Sequence, residues 1–250
     1  MNLSVEVFCD AGYLANSYLI YNNEVCILID PANNIKTLKK FIGDKKLVGV
    51  FLTHGHYDHF IRLFDITKEF DCNIYMHKNA YKKILNNNLS CATLFGCYDK
   101  FELDQNKISF IDEGDVLGFG DTKIKVLYHP GHTNCSLSYK IDNMLFCGDV
   151  LFPNSVGRSD LPTGNVIVLN DTLTRIKKME HNLLVYPGHD EAFLLSDALK
   201  YNPYLKWRRN SSLFLCINLI FFHKILKIST LYLTVLIECD ILLADKRWEC

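Results

Sequence analysis

The chain has 250 residues, 49% of them apolar, with a net charge of −1 and ten cysteines. That is enough apolar material for one large domain, or one domain with an appendage, around a sizeable core. The near-neutral balance leaves no electrostatic footprint for nucleic acid. The cysteines form no C-x-x-C pair, and Cys91 and Cys97 are the closest two. Met1-Asn2-Leu3-Ser4-Val5 carries neither a basic segment nor a long apolar one, so the expectation is a cytoplasmic protein with reduced thiols, not a disulfide scaffold.

In chain order, residues 3–8, 16–21 and 25–29 read as strands, with the Asn-rich turn Tyr21-Asn22-Asn23-Glu24 between the last two. The third strand ends at Asp30-Pro31. There the carboxylate is either a turn residue or a partner that orients a ligand histidine. Helical spacing of Ile35, Leu38, Phe41 and Ile42, closed by Gly43, predicts a helix over 34–43. The apolar run 47–52 predicts a buried strand, followed by helices over 59–70 and 78–86 and a strand over 72–76. This alternation argues for an α/β arrangement. Residues 86–105 lack periodicity and read as a long loop of the kind that flanks sites. Strands are predicted at 107–111, 123–128, 135–141, 143–147 and 183–186, and helices at 165–180 and 191–200.

The chemistry concentrates at the ends of the apolar runs. After strand 47–52 comes Thr53-His54-Gly55-His56-Tyr57-Asp58-His59, with three imidazoles and a carboxylate within six residues. Neutral imidazole and carboxylate are ligands for zinc, iron and manganese. Three later motifs share one plan, an apolar strand followed by Gly and a ligand-type residue. They are His129-Pro130-Gly131-His132, Cys147-Gly148-Asp149 and Pro187-Gly188-His189. Glycine lets the backbone turn sharply and return the next side chain over the strand ends. The candidates are then His54, His56, Asp58, His59, His132, Asp149 and His189. Seven ligands suit two ions that share one carboxylate. His129, His77, His181 and His223 stay outside this set.

With these motifs the chain resembles the metallo-β-lactamase superfamily, and within it the short, single-domain bacterial glyoxalase II (hydroxyacylglutathione hydrolase) group. The marks are T-H-G-H-Y-D-H at 53–59, P-G-H-T at 130–133, G-D-V-L-F at 148–152, S-V-G-R-S-D-L-P at 155–162, P-G-H at 187–189 and N-P-Y-L at 202–205. The resemblance implies a four-layer αββα sandwich of the α/β or α+β class. It implies that His54, His56 and His132 bind one divalent ion, that Asp58, His59 and His189 bind a second, and that Asp149 bridges them. Zinc is the expected metal, with iron and manganese as alternatives. The implied activity is hydrolysis of a small-molecule thioester of the hydroxyacylglutathione type. A bridging hydroxide would attack, with Asp58 and Asp149 as the catalytic carboxylates. Arg158 falls where the family often has a basic residue facing the thiol carrier; an exposed loop cation is the alternative. Phe60 and Ile61 stand where the family has small residues, and Asp190-Glu191-Ala192-Phe193 stands where short forms carry a Thr-rich turn.

Other readings of the same site are a mononuclear-iron persulfide dioxygenase and a lactone or ester hydrolase. From a different class comes a non-catalytic metal-binding protein. The resemblance ends near residue 205, so the expected division is a hydrolase domain over 1–209 and a hydrophobic appendage over 210–250. The apolar runs of the appendage are short or interrupted by Glu238 and Asp240. A packed appendage, a membrane-associating segment and a stretch not naturally translated in this frame are its three readings.

Overall fold

The computed structural model describes residues 3–9 and 14–206; the readings made for 210–250 lie outside them. Two six-stranded mixed sheets make the centre of the fold. The first holds β1 (Ser4–Phe8), β2 (Ser17–Tyr21), β3 (Val25–Ile29), β4 (Lys46–Phe51), β5 (Asn73–Met76) and β6 (Ile108–Phe110), side by side in chain order. The second holds β7 (Val116–Phe119), β8 (Thr122–Tyr128), β9 (Leu137–Ile141), β10 (Met144–Gly148), β11 (Leu184–Pro187) and β12 (Phe193–Leu194). β1 to β3 pair antiparallel and β3 to β6 parallel, whereas the second sheet is antiparallel except between β10 and β11.

Period-two alternation within apolar strands sorts the side chains into layers. On β3, Cys26 and Leu28 face helices, while Ile27 and Ile29 face the other sheet. On β10, Phe146 enters the space between the sheets, and Leu145 and Cys147 face helices on the far side. Strands buried on both faces read as continuous apolar runs for this reason. The first helical layer is α1 (Ile35–Ile42), α2 (Tyr57–Phe60), α3 (Leu63–Glu69) and α4 (Lys78–Ile84). The second is α5 (Val166–Ile176), α6 (Leu195–Tyr201) and the short α7 (Pro203–Lys206). This is the expected αββα sandwich.

Several boundaries differ from the sequence reading. The single helix expected over 59–70 is two, because the Arg62 amide donates to the carbonyl of Pro31 instead of continuing the turn. β7 was not anticipated. Its four residues alternate exposed and partly buried up to Phe119, too weak an apolar signal to stand out from the turn that follows. The helix expected over 191–200 begins only at Leu195, after Phe193 pairs with Val185 as an edge strand. The helix expected over 165–180 is Val166–Ile176; the Asn165 side chain accepts from the amides of Ile167 and Val168 and fixes its start. Among the described residues no helix is long and apolar enough to cross a membrane, and the seven described cysteines are free.

The sheets are joined near the strand ends by Tyr139 of β9. It is fully buried, packs edge-on against Phe51, and donates its hydroxyl to the Leu52 carbonyl at 2.5 Å. Tyr139→Phe keeps the ring and strands that carbonyl, so stability should fall by about 1–2 kcal/mol. Chemical denaturation checks this, and an unchanged midpoint would contradict the assigned bond.

Candidate metal centre

All seven candidate ligands lie at one end of the sandwich, on the segments that leave β4, β8, β10 and β11, with Asp58 and His59 in the short α2. Each loop is anchored by backbone bonds before it presents a side chain. The Leu137 amide donates to the Thr53 carbonyl, and the Gly188 amide to the Gly148 carbonyl. Gly188 cannot be replaced by a larger residue without movement, since a Cβ there would lie 2.0 Å from Asp149 Oδ1 and 2.7 Å from the His59 ring.

His54 Nε2, His56 Nδ1 and His132 Nε2 form a triangle with sides of 3.0–3.2 Å. Their protons are assigned by their other neighbours. His132 Nδ1 donates to the Arg158 carbonyl at 2.7 Å. Thr53 Oγ1 gives its hydrogen to Asp30 Oδ2 at 2.6 Å, so it accepts from His54 Nδ1 at 3.1 Å. Both His54 Nε2 and His132 Nε2 therefore present lone pairs to the same point. Lone pairs that close repel unless a cation lies between them. Burial pushes the His54 and His56 pKa values well below the ordinary range, and that of His132 downward, which keeps all three neutral.

The second group is Asp58, His59 and His189. His189 Nε2 lies 3.3 Å from Asp58 Oδ2, and His59 Nε2 lies 3.9 Å from the same oxygen. Asp149 reaches both groups, with Oδ1 3.3 Å from His59 Nε2 and Oδ2 3.7 Å from both His132 Nε2 and His189 Nε2. His56 Nε2, His59 Nε2 and Asp149 Oδ1 are buried without a hydrogen-bond partner. Such groups carry a large desolvation cost unless a ligand satisfies them. Burial opposes charge on His59, yet Asp149, Asp58 and Asp30 together outweigh it and raise its pKa well above normal. His59, His189 and His132 overcome burial in the same way and hold the Asp149 carboxyl far below the usual carboxylate range. One group of neutral nitrogens and one group rich in negative charge thus share a carboxylate, and this donor set fits two cations.

The carboxylate of Asp30 backs the cluster. It is fully buried, with φ at 51°. It accepts from the Thr53 amide at 2.8 Å, the Thr53 hydroxyl and His59 Nδ1 at 2.8 Å. The last bond fixes the Nδ1 side of the ring, so Nε2 is the nitrogen turned toward the cluster and a cation there would displace its proton. Arg158 makes two 2.7 Å guanidinium bonds to Asp160 and is 47% exposed on its side chain, while its backbone carbonyl orients His132.

Three supporting residues escaped the sequence reading. Asn16 donates from its side chain to the carbonyls of Pro187 and Asp190, and Tyr18 donates to Pro187, so β2 and the turn before it hold the His189 loop. Lys83 of α4 is 1% exposed and donates to the carbonyls of Leu89 and Pro162, tying together two loops beside the cluster. A lone Asn before a strand and a Lys within a helix carry no motif, so only tertiary contact reveals them. His129, left outside the ligand set, is buried and hydrogen-bonded through Nδ1 to Ser138 Oγ at 2.8 Å.

A two-sheet sandwich with a histidine–carboxylate cluster at its strand ends defines the metallo-hydrolase class. The chain belongs to the metallo-beta-lactamase superfamily, whose family model matches residues 11–189. It is 35% identical to an uncharacterised protein of Aquifex aeolicus over 184 residues, 71% of this chain and 84% of that one. It is 26% identical to the hydroxyacylglutathione hydrolase GloC of Haemophilus influenzae over 211 residues, 81% of this chain and 98% of that one. Among solved structures it is similar to TTHA1623, crystallised in a di-iron-bound form. That similarity has a TM-score of 0.68 at 28% identity and covers 76% of this chain and 95% of that one.

Asp30→Asn replaces an acceptor facing His59 Nδ1 with an amide that can donate, so metal affinity should fall roughly 10–100-fold. Elemental analysis after dialysis against a weak chelator measures it; retention equal to the parent protein would show that Asp30 does not orient His59. A second prediction concerns acid stability. Burial, and then Arg175, push His129 down to about 4, whereas an unfolded histidine titrates near 6.5. The unfolded chain therefore binds the extra proton, and the contribution present above about pH 6.5 is lost as pH falls toward 4. Between pH 7 and pH 5 the loss amounts to about 2 kcal/mol. His129→Gln should flatten the fall in unfolding free energy over that interval, and an identical slope would refute the buried neutral ring.

Proposed function

We propose that the protein is a dinuclear-metal hydrolase that cleaves a thioester, with hydroxyacylglutathione-type compounds as the substrate class. The observation that carries this reading is the pair of donor groups sharing Asp149, most exposed among the described residues at His189 and Asp58. His54, His56, His59 and His132 are almost fully buried, whereas His189 is 32% and Asp58 15% exposed on their side chains. Substrate therefore arrives along the Asp58–His189 side. Similarity to GloC along nearly its whole length supports the thioester class, and the di-iron neighbour supports a two-ion site; zinc, iron and manganese all suit its donors.

In this reading His54, His56 and His132 would hold one ion and Asp58, His59 and His189 the other, with Asp149 within reach of both groups. When bound, the ions supply an acidified water and a Lewis acid for a carbonyl oxygen. The chain's own groups do the rest. Asp58, the more accessible carboxylate beside His189, takes up the proton of the attacking water. Asp30 and the Arg158 carbonyl fix the rings of His59 and His132 so that the donors do not reorient during attack. The thiolate leaves without strong acid assistance. Asp160 takes the Nε and one Nη2 hydrogen of Arg158, which leaves the Nη1 hydrogens for a substrate carboxylate.

The test is hydrolysis of S-lactoylglutathione by metal-loaded protein, beside a lactone and a simple ester. The expected result is thioester turnover that falls by roughly two orders of magnitude or more in Asp58→Ala and Asp149→Ala. A fully loaded protein that cleaves the lactone and not the thioester would move the substrate class. One that cleaves none of the three would favour the non-catalytic reading.

A further inference from the structure

A second site lies away from the metal cluster and is independent of the function proposed above. Where β8 and β9 meet the end of α5, a cavity of about 350 Å³ is lined by Lys125, Lys140, Arg175, Lys178, His129 and Glu180, among others. None of the seven metal-ligand candidates lines it. The volume falls in the range of small-molecule sites. Four cations meet one carboxylate there, in a chain whose net charge is −1.

Lys125, Arg175 and Lys178 are exposed and Lys140 is half-buried, and the four converge on one patch. Lys125 and Lys140 are direct cross-strand partners in the β8–β9 register, a placement in which like charges destabilise a sheet unless an opposite charge intervenes. Two of the cations are held in place. Arg175 donates to the Tyr128 carbonyl at 2.8 Å and pairs with Glu113 at 2.9 Å. Lys140 donates to the Asp142 carbonyl at 2.9 Å and lies 3.3 Å from Glu180. Lys125 and Lys178 have no carboxylate partner among the described residues.

The buried ring of His129 adds a second, independent observation. Its Nδ1 is engaged by Ser138 Oγ, its ring lines the cavity, and its other nitrogen has no hydrogen-bond partner among the described residues. When Ser138 donates to Nδ1, Nε2 carries the hydrogen and offers a neutral donor beside the cations. A buried donor with free cations around it is the chemistry that binds a compact, multiply charged oxyanion.

We propose that this cavity is a binding site for a small phosphomonoester, with Lys125 and Lys178 neutralising the phosphate and His129 donating to it. A phosphomonoester carries a charge near −2 at neutral pH and three strong acceptors, which matches the two free cations and the one donor. The site backs onto the strand end that continues into His132. Arg175 holds the Tyr128 carbonyl and Thr172 holds the Pro130 carbonyl at 2.6 Å, so α5 grips the segment between the two sites.

The experiment is calorimetric titration of the metal-loaded protein with AMP, adenosine and inorganic phosphate, repeated with the Lys125→Ala/Lys178→Ala double variant and with a Lys125→Arg/Lys178→Arg variant. Both lysines are exposed and outside the core, and circular dichroism confirms that each variant is folded. The expected result is saturable AMP binding that weakens about tenfold or more in the alanine variant and is kept in the arginine variant. Adenosine should not bind. Inorganic phosphate competing with AMP would show that the phosphate is the recognised part. Equal AMP affinity in the alanine variant would place binding elsewhere, including at the metal centre, and overturn the proposal. Adenosine binding as tightly as AMP, or no saturable binding of AMP, would do the same.

Discussion

One buried carboxylate, that of Asp30, holds the ends of three elements in register. It takes the Thr53 amide and hydroxyl from the end of β4 and His59 Nδ1 from α2, while its own backbone carbonyl accepts the Ser17 hydroxyl from β2. The backbone there has positive φ, a conformation Asp tolerates better than most residues and one that persists only where surroundings enforce it. Through Thr53 the same carboxylate sets the proton on His54, and directly it sets the proton on His59. One side chain thus decides which nitrogen faces inward in both donor groups. A buried charge costs free energy unless it is fully satisfied, and here three donors satisfy it.

The two donor groups differ in physical character. The His54–His56–His132 triangle is buried and neutral because burial outweighs its neighbours. Around His59 and His189 the carboxylates outweigh burial and raise both pKa values. The first group is a closed nitrogen site; the second is a charged, partly open one. Asp149 lies between them because the parallel pairing of β10 and β11 brings Gly148 beside Pro187, and Gly188 leaves room for its carboxylate. In the proposed reaction both substrate entry and proton uptake fall on the open side, at Asp58 and His189.

Much of this was legible in the sequence because the strands are apolar on both faces and each ends in a Gly-flanked ligand. The runs before His54, Asp149 and His189 gave their strands directly, whereas the sorting of Ile27 and Leu28 to opposite faces is hidden in a run that is apolar throughout. The alternatives left open at Asp30 were distinguishable only once β3 and β4 were seen to pair in parallel, which sets its carboxylate beside Thr53. β7 was missed because half of it is exposed, and the helix at 59–70 was drawn whole because the bond from Arg62 to Pro31 spans 31 positions of chain. Asn16, Tyr18 and Lys83 act through carbonyls of distant loops, and residue type says nothing about such partners.

The central claim is that two cations, not one, complete the cluster through a shared Asp149. Stepwise titration of the metal-free protein with zinc, followed by calorimetry or by competition with a chromophoric chelator, tests it most directly. The account predicts two equivalents per chain in the parent protein, and at most one held tightly after Asp149→Ala. Saturation of the parent protein at a single equivalent, with His189 and Asp58 replaceable at no loss of affinity, would contradict it.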